Sequence, residues 1–231
     1  MPSWAIHLKV ANKVCDKLNI YEQKNNFVIG NVIPDIYSGH ILKNASKKIE
    51  YDTSHYKELV IINGGKFYLP NYDMFKNIHI DDLDDKLILG FLIHLMTDYY
   101  FNKYTYKNKI LLDNVGEVKG IKTKRDEVLN CGRKTATKMK QEDFESFSQM
   151  IELERYNVSY TSNVFESLKK IKTFDVENDD IVKIVNFLNS IINTNEIKTK
   201  PLILFSKEEL NTMIDECVDF VISYIKSNNI N

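Results

Sequence analysis

Residues 91–101 read Phe-Leu-Ile-His-Leu-Met-Thr-Asp-Tyr-Tyr-Phe, eight apolar or aromatic side chains with one histidine, one threonine and one aspartate among them. The apolar positions continue Leu87 and Gly90 on one face, and Asp81, Asp82, Asp84 and Asp85 stand just upstream. Carboxylates suit the N-terminus of a helix dipole, so this stretch predicts a long helix over about 81–104. His94 and Asp98 fall four residues apart on its apolar face. A carboxylate removed from water is costly unless it is paired, hydrogen-bonded or bound to a metal. Residues at i and i+4 point the same way, about 5–6 Å apart at Cβ, which suits a shared ion as well as a buried His–Asp hydrogen bond.

The rest of the chain reads as helical around this stretch. Ser3 is placed to cap a first helix whose inward face carries His7, Val10, Ala11, Val14 and Leu18. Asn25 and Asn26 turn the chain into FVIGNVIPDI (27–36), where Pro34 ends any helix near Ile33. Residues 38–57 are a polar connector ending in Thr53-Ser54-His55, and Gly64-Gly65 and Pro70 mark turns. Residues 105–124 are basic and loop-like. Helices are expected over about 125–155, 161–172 and 178–193, and the capping-box pattern Ser206-Lys-Glu-Glu209 opens a last one over 207–226. With only 8 glycines and 4 prolines, a turn-dense sandwich or barrel is disfavoured. The expected fold is all-α, one domain over 1–231, irregular near 38–80, with its polar cluster in the half about 1–104 and C-terminal helices over about 125–226.

Bulk properties narrow the function classes. The chain has 231 residues, 43% hydrophobic, enough for a sizeable core. With 31 basic and 32 acidic residues the net charge is −1, so charge gives no nucleic-acid footprint. Cys15, Cys131 and Cys217 form no CxxC pair and suit a reducing compartment. The opening MPSWAIHLKVANKVCDKL lacks an apolar signal core, and no run approaches a transmembrane span, so the expected location is cytoplasmic. There is no GxSxG and no GxxxxGK[ST]; no histidine is followed by aspartate, which removes the HD-domain signature.

Taken in order, MPSWAIH, GNVIPDI, TSHY and LGFLIHLMTDYYF resemble the zinc-dependent phospholipase C family, the phospholipase C/P1 nuclease fold. The resemblance covers roughly residues 1–104 and implies metal ligands at His7, Asp35, His55, His94 and Asp98. By it, Asp35, His55, His94 and Asp98 would hold one zinc ion, and Asp98 would bridge to a second that His7 helps to bind. Asp35 would also be the catalytic carboxylate. The mixed His/Asp shell suits zinc, and manganese or iron equally. The implied activity is metal-dependent hydrolysis of a phosphate ester or phospholipid-like substrate by an activated water.

The chain departs from the family in three ways. Its tryptophan is Trp4, inside the chain, where the secreted members have a mature N-terminal tryptophan. No histidine follows His94; Lys138-x-x-x-Glu142 with Asp143 is the nearest echo of a downstream ligand set, and Glu142, Asp143 and Glu145 read as a solvated helix face. No export signal is expected, which weakens an extracellular phospholipid as substrate. The alternative is a non-catalytic binding or structural protein retaining a metal site. His40 and His79 read as surface residues.

Overall fold

The structure is a computed structural model that describes residues 2–39, 42, 44–193 and 200–230. The long central helix is present, as α5 (Lys86–Asn108), buried along most of its length. It begins later than expected, because the aspartates precede it. Asp85 takes the N-cap position and its carboxylate accepts the Leu87 N–H at 3.0 Å, while Ile80–Asp82 forms a 3₁₀ turn. Around α5 pack α1 (Trp4–Leu18), α2 (Lys24–Gly30), α3 (Tyr51–His55) and α4 (Tyr72–Ile78). The C-terminal part supplies α6 (Arg133–Ser148), α7 (Ser162–Leu168), α8 (Asn178–Asn193) and α9 (Lys207–Ser227). The last two match their expected ranges closely, and Ser206 caps α9 by accepting the Glu209 N–H. Ser3 occupies the N-cap of α1 in an extended conformation, but its side chain makes no capping bond.

The fold is not all-α. Two small antiparallel sheets accompany the helices, one of β1 (Glu58–Ile62) and β2 (Gly65–Leu69), the other of β3 (Ile110–Leu112), β4 (Val118–Lys122) and β5 (Val128–Asn130). The physical cause of the first lies in ELVII-NG-GKFYL. Asn63 and Gly64 both adopt positive φ, at 52° and 86°, which is the two-residue turn whose twist matches paired strands. In the second sheet Gly116 (φ 84°) closes one turn, with the Asp113 carboxylate accepting N–H bonds from Val115 and Glu117. Asp126 (φ 61°) closes the other, which converts the start of the expected 125–155 helix into β5 and delays α6 to Arg133. Residues 151–161 carry no regular element. The irregular section near 38–80 thus holds two helices and a hairpin as well as connector.

Two glycines fix how α2 meets α5. A Cβ on Gly30 would lie 1.9 Å from the Leu87 carbonyl oxygen, and one on Gly90 would lie 2.1 Å from that of Phe27. Only bare backbone permits this approach. The crossing brings Asn31 onto α5, where its side-chain amide donates to the Gly90 carbonyl at 3.2 Å. The packed side chains form one continuous apolar cluster running from Trp4 on α1 to Ile225 on α9. No helix among the described residues is long and apolar enough to cross a membrane.

Candidate metal centre

Four segments deliver the five expected ligands to one place. His7 comes from α1 and His94 and Asp98 from α5. Asp35 comes from a 3₁₀ turn (Ile33–Asp35) that Pro34 helps to set, and His55 closes α3 before Tyr56 turns left-handed (φ 51°). All five are completely buried. His7, His94 and Asp98 offer donor atoms within 4.8 Å of one another, and so do Asp35, His55 and His94.

The contacts inside the cluster are close and poorly satisfied. His55 Nε2 and His94 Nε2 lie 3.2 Å apart. His7 Nε2 is 3.3 Å from Asp98 Oδ1, and His55 Nε2 is 3.5 Å from both Asp35 Oδ1 and Asp98 Oδ2. His94 Nε2 is 3.8 Å from Asp35 Oδ2. Two nitrogens on a single tetrahedral zinc ion stand about 3.3 Å apart, given Zn–N bonds of about 2.0–2.1 Å. The 3.2 Å between His55 Nε2 and His94 Nε2 matches that spacing. Both ring nitrogens of His7, Asp35 Oδ1 and Asp98 Oδ1 have no partner in hydrogen-bond geometry, although His7 Nε2 and Asp98 Oδ1 are close. Buried polar atoms are rarely left this way. No lysine or arginine among the described residues pairs with either carboxylate. Two buried carboxylates amid imidazoles with unused lone pairs form a donor set that fits a divalent cation.

A second layer aims the ligands. His94 Nδ1 donates to the Asn31 carbonyl at 2.8 Å, which leaves the Nε2 lone pair pointing inward. His55 Nδ1 is 2.8 Å from Ser54 Oγ, and the His55 ring stacks on Tyr51 at 3.9 Å. The Tyr51 hydroxyl donates to Asp98 Oδ2 at 3.1 Å, and Trp4 Nε1 donates to Asp35 Oδ2 at 3.1 Å. The rings of His7 and His94 stack at 4.1 Å.

Electrostatics favour the neutral forms of His7 and His55. Burial, aided by the proximity of His94, pushes the His7 imidazole down to about 4. Burial likewise holds His55 well below its ordinary range, against the pull of the Asp98 charge. Burial would raise the Asp98 carboxyl, but the neighbouring His7 and His94 outweigh it and hold it below the usual carboxylate range. Asp35 goes the other way: burial and the Asp98 charge push it up despite His94 and the Trp4 bond. Burial and the Asp98 charge push the Tyr51 hydroxyl far up, so it stays a donor. Neutral imidazoles are the form that ligates metals.

The sharing differs in one respect from the family-based expectation. His94 is the residue common to both three-residue groups, rather than Asp98. Asp98 nonetheless faces two histidines with different oxygens, Oδ1 towards His7 and Oδ2 towards His55. An imidazole Nε2 has one lone pair and a carboxylate has two oxygens, so of the two residues only Asp98 could contact two ions.

Two expectations outside the cluster are corrected. Asp143 does not lie on a solvated face: it is buried and accepts N–H bonds from Ile203, Leu204 and Phe205 at 2.7–3.1 Å, tying the segment after Pro201 to α6. Glu142 is half-buried and Glu145 exposed. His79 is not a surface residue but fully buried, with neither ring nitrogen partnered. His40 lies outside the described residues. Sequence reasoning missed the aiming roles of Asn31, Tyr51 and Ser54, and it weighed Trp4 only as a displaced terminal residue. The signal for Ser54 was its adjacency to His55; for Asn31 it was the glycine beside it. Compared with protein-family models, with curated proteins and with solved structures, the chain matches none.

Proposed function

We propose that this protein is a metal-dependent phosphoesterase whose centre is formed by His7, Asp35, His55, His94 and Asp98, with zinc as the preferred ion and manganese or iron as substitutes. The observation that carries the reading is the convergence of five fully buried residues, with contacts of 3.2–3.8 Å among their nitrogens and oxygens and with both His7 nitrogens, Asp35 Oδ1 and Asp98 Oδ1 left without a hydrogen-bond partner. The ordered motifs that resemble the zinc-dependent phospholipase C family supply the reaction class. When bound, a zinc-class ion polarises the phosphate ester and makes a water molecule nucleophilic near neutral pH. Asn31 and Ser54 hold the imidazoles of His94 and His55 in position, and Trp4 and Tyr51 each occupy one oxygen of a carboxylate. With Trp4 on Oδ2, Asp35 Oδ1 is the oxygen that would face the ion, and Asp35 would also take up the proton released by the attacking water.

A second reading rests on the complete burial of all five ligands and on the structural use of Asp143, which leaves no downstream ligand set. In that reading the ion is structural and the protein binds rather than catalyses. Hydrolysis of p-nitrophenyl phosphate, bis-p-nitrophenyl phosphate and p-nitrophenyl phosphorylcholine by zinc- or manganese-loaded protein separates the two. Phosphoesterase function predicts turnover of at least one, lost in His94→Ala. Absence of turnover in a metal-loaded sample favours the structural ion.

A further inference from the structure

A second polar feature lies further along α5, beyond the metal cluster. Asn102 follows Asp98 by four residues, about 6 Å along the helix axis, and Thr105 follows one turn later. The Asn102 side-chain oxygen accepts a hydrogen bond from the Lys140 ammonium at 2.5 Å. Lys140 stands on the inner face of α6 and is only 2% exposed. Lysine is almost never buried to this degree unless its charge is paired. Lys109, the other buried lysine among the described residues, obeys that rule, with its ammonium 2.9–3.0 Å from the Glu209 carboxylate. No carboxylate among the described residues lies within ion-pair distance of Lys140. Its other neighbour is the Tyr106 ring, 5.3 Å away.

Lys140 also borders a cavity. Lys140 and Thr105 line it on the inside, and Arg133 and Thr137 stand at its exposed edge on α6, with Phe67, Tyr106 and Ile110 among its walls. The cavity measures about 50 Å³. One water needs roughly 10–15 Å³ of such space, so a group with several oxygens fits. The Arg133 guanidinium lies over the Phe67 ring at 4.9 Å and donates to the Lys66 carbonyl at 3.0 Å; its nearest carboxylate, Glu117, is 3.9 Å away and exposed.

We propose that this cavity is a binding site for a small oxyanion, phosphate or a phosphate monoester group, held by the Lys140 ammonium from within and by the Arg133 guanidinium at the mouth. The Lys140 ammonium has three N–H donors, and Asn102 takes one of them. An oxyanion supplies the acceptors and the counter-charge that the protein does not. The apolar walls strengthen the charge-assisted bonds by excluding water. The site rests on its own residues and stands whether or not the neighbouring cluster binds metal or hydrolyses anything.

The test is a titration of inorganic phosphate, with sulfate and acetate as parallel arms, into ¹⁵N-labelled protein dialysed against a chelator. Saturable amide shifts are expected at Ala136, Thr137 and Lys140. Lys140→Met is expected to weaken phosphate binding roughly ten- to a hundredfold, the loss of a charge-assisted bond, and Arg133→Gln to weaken it less. A stronger response to acetate than to phosphate and sulfate would revise the ligand to a carboxylate and overturn the phosphate assignment. No saturable shifts, shifts centred on His94 and Asp98 instead, or unchanged affinity in a folded Lys140→Met protein would overturn the site itself. If Lys140→Met fails to fold, unchanged affinity in Arg133→Gln together with no shift at Thr137 and Lys140 in the wild type would overturn it equally.

Discussion

His55 Nε2 and His94 Nε2 face each other at 3.2 Å across the centre of the protein, each on a ring whose other nitrogen is occupied by Ser54 Oγ or the Asn31 carbonyl. Without an ion, one nitrogen must donate to the other; with an ion, both lone pairs serve it. Because His94 belongs to both donor groups and His7 to one, the two substitutions separate. His94→Ala is expected to abolish tight metal binding, while His7→Ala retains one ion on Asp35, His55 and His94. Metal content after purification without chelator, measured by plasma mass spectrometry, checks this. Equal metal loss in both variants would contradict an ion held on Asp35, His55 and His94 independently of His7.

The glycine crossing carries the site as well as the fold. Gly90→Ala would place a methyl group 2.1 Å from the Phe27 carbonyl oxygen, and Gly30→Ala one 1.9 Å from that of Leu87. Both contacts are with backbone, so one helix must move. Each substitution is expected to cost about 3 kcal/mol or more, at the upper end of overpacking. It should also weaken metal binding, because the same shift withdraws the Asn31 carbonyl from His94. Denaturant unfolding and a zinc titration of the folded fraction measure the two effects, and a loss of stability with unchanged zinc affinity would break the link.

Much of the site is legible in the sequence, and the fold less so. His94 and Asp98 stand out because a histidine and a carboxylate on an apolar helix face have few inexpensive explanations. Residues 58–69 escape recognition as strands because Gly64-Gly65 reads as punctuation, whereas Asn63-Gly64 is itself the hairpin turn. The expected 125–155 helix forms only over Arg133–Ser148, because at its start the short strand Val128–Asn130 pairs with Gly120–Lys122, a contact invisible in local periodicity. Asp143 misleads for a related reason. Its neighbours Glu142 and Glu145 are polar, but its partners are the amides of 203–205, about sixty residues away in sequence. The carbonyl of Asn31 has no sequence signature, since backbone groups carry none.

The aiming layer should be separable from the ligands. Tyr51→Phe removes the hydroxyl that holds Asp98 Oδ2 while keeping the ring stacked on His55, and Trp4→Phe removes the indole N–H on Asp35 Oδ2. Each is expected to lower metal affinity roughly 10–100-fold, as second-layer substitutions do, with the folded structure retained. Competition with a chromogenic chelator measures the affinity. Wild-type affinity in both variants would show that the carboxylates need no such support.

His79 gives the protein a separate acid sensitivity. Burial, with Lys172 nearby and opposed by Asp82, pushes its imidazole down to about 4 from an ordinary 6.5. The unfolded chain therefore takes up a proton on His79 before the folded one does. Stability from this residue is full above about pH 6.5, falls as pH drops towards 4, and levels below, a loss on the order of 1–3 kcal/mol. His79→Leu is expected to flatten this slope and to be the more stable protein at pH 5, measured by urea unfolding across pH 4–7. Parallel pH profiles for the two proteins would show that His79 is not the source of the sensitivity.

The central claim is that five buried residues form a metal centre. Its most direct test is anomalous diffraction at the zinc absorption edge from crystals of protein purified with zinc. The account predicts one or two anomalous peaks within bonding distance, roughly 2.0–2.2 Å, of the His7, His55 and His94 nitrogens and the Asp35 and Asp98 oxygens. No peak in the cluster, with a melting temperature unchanged by zinc, would contradict it.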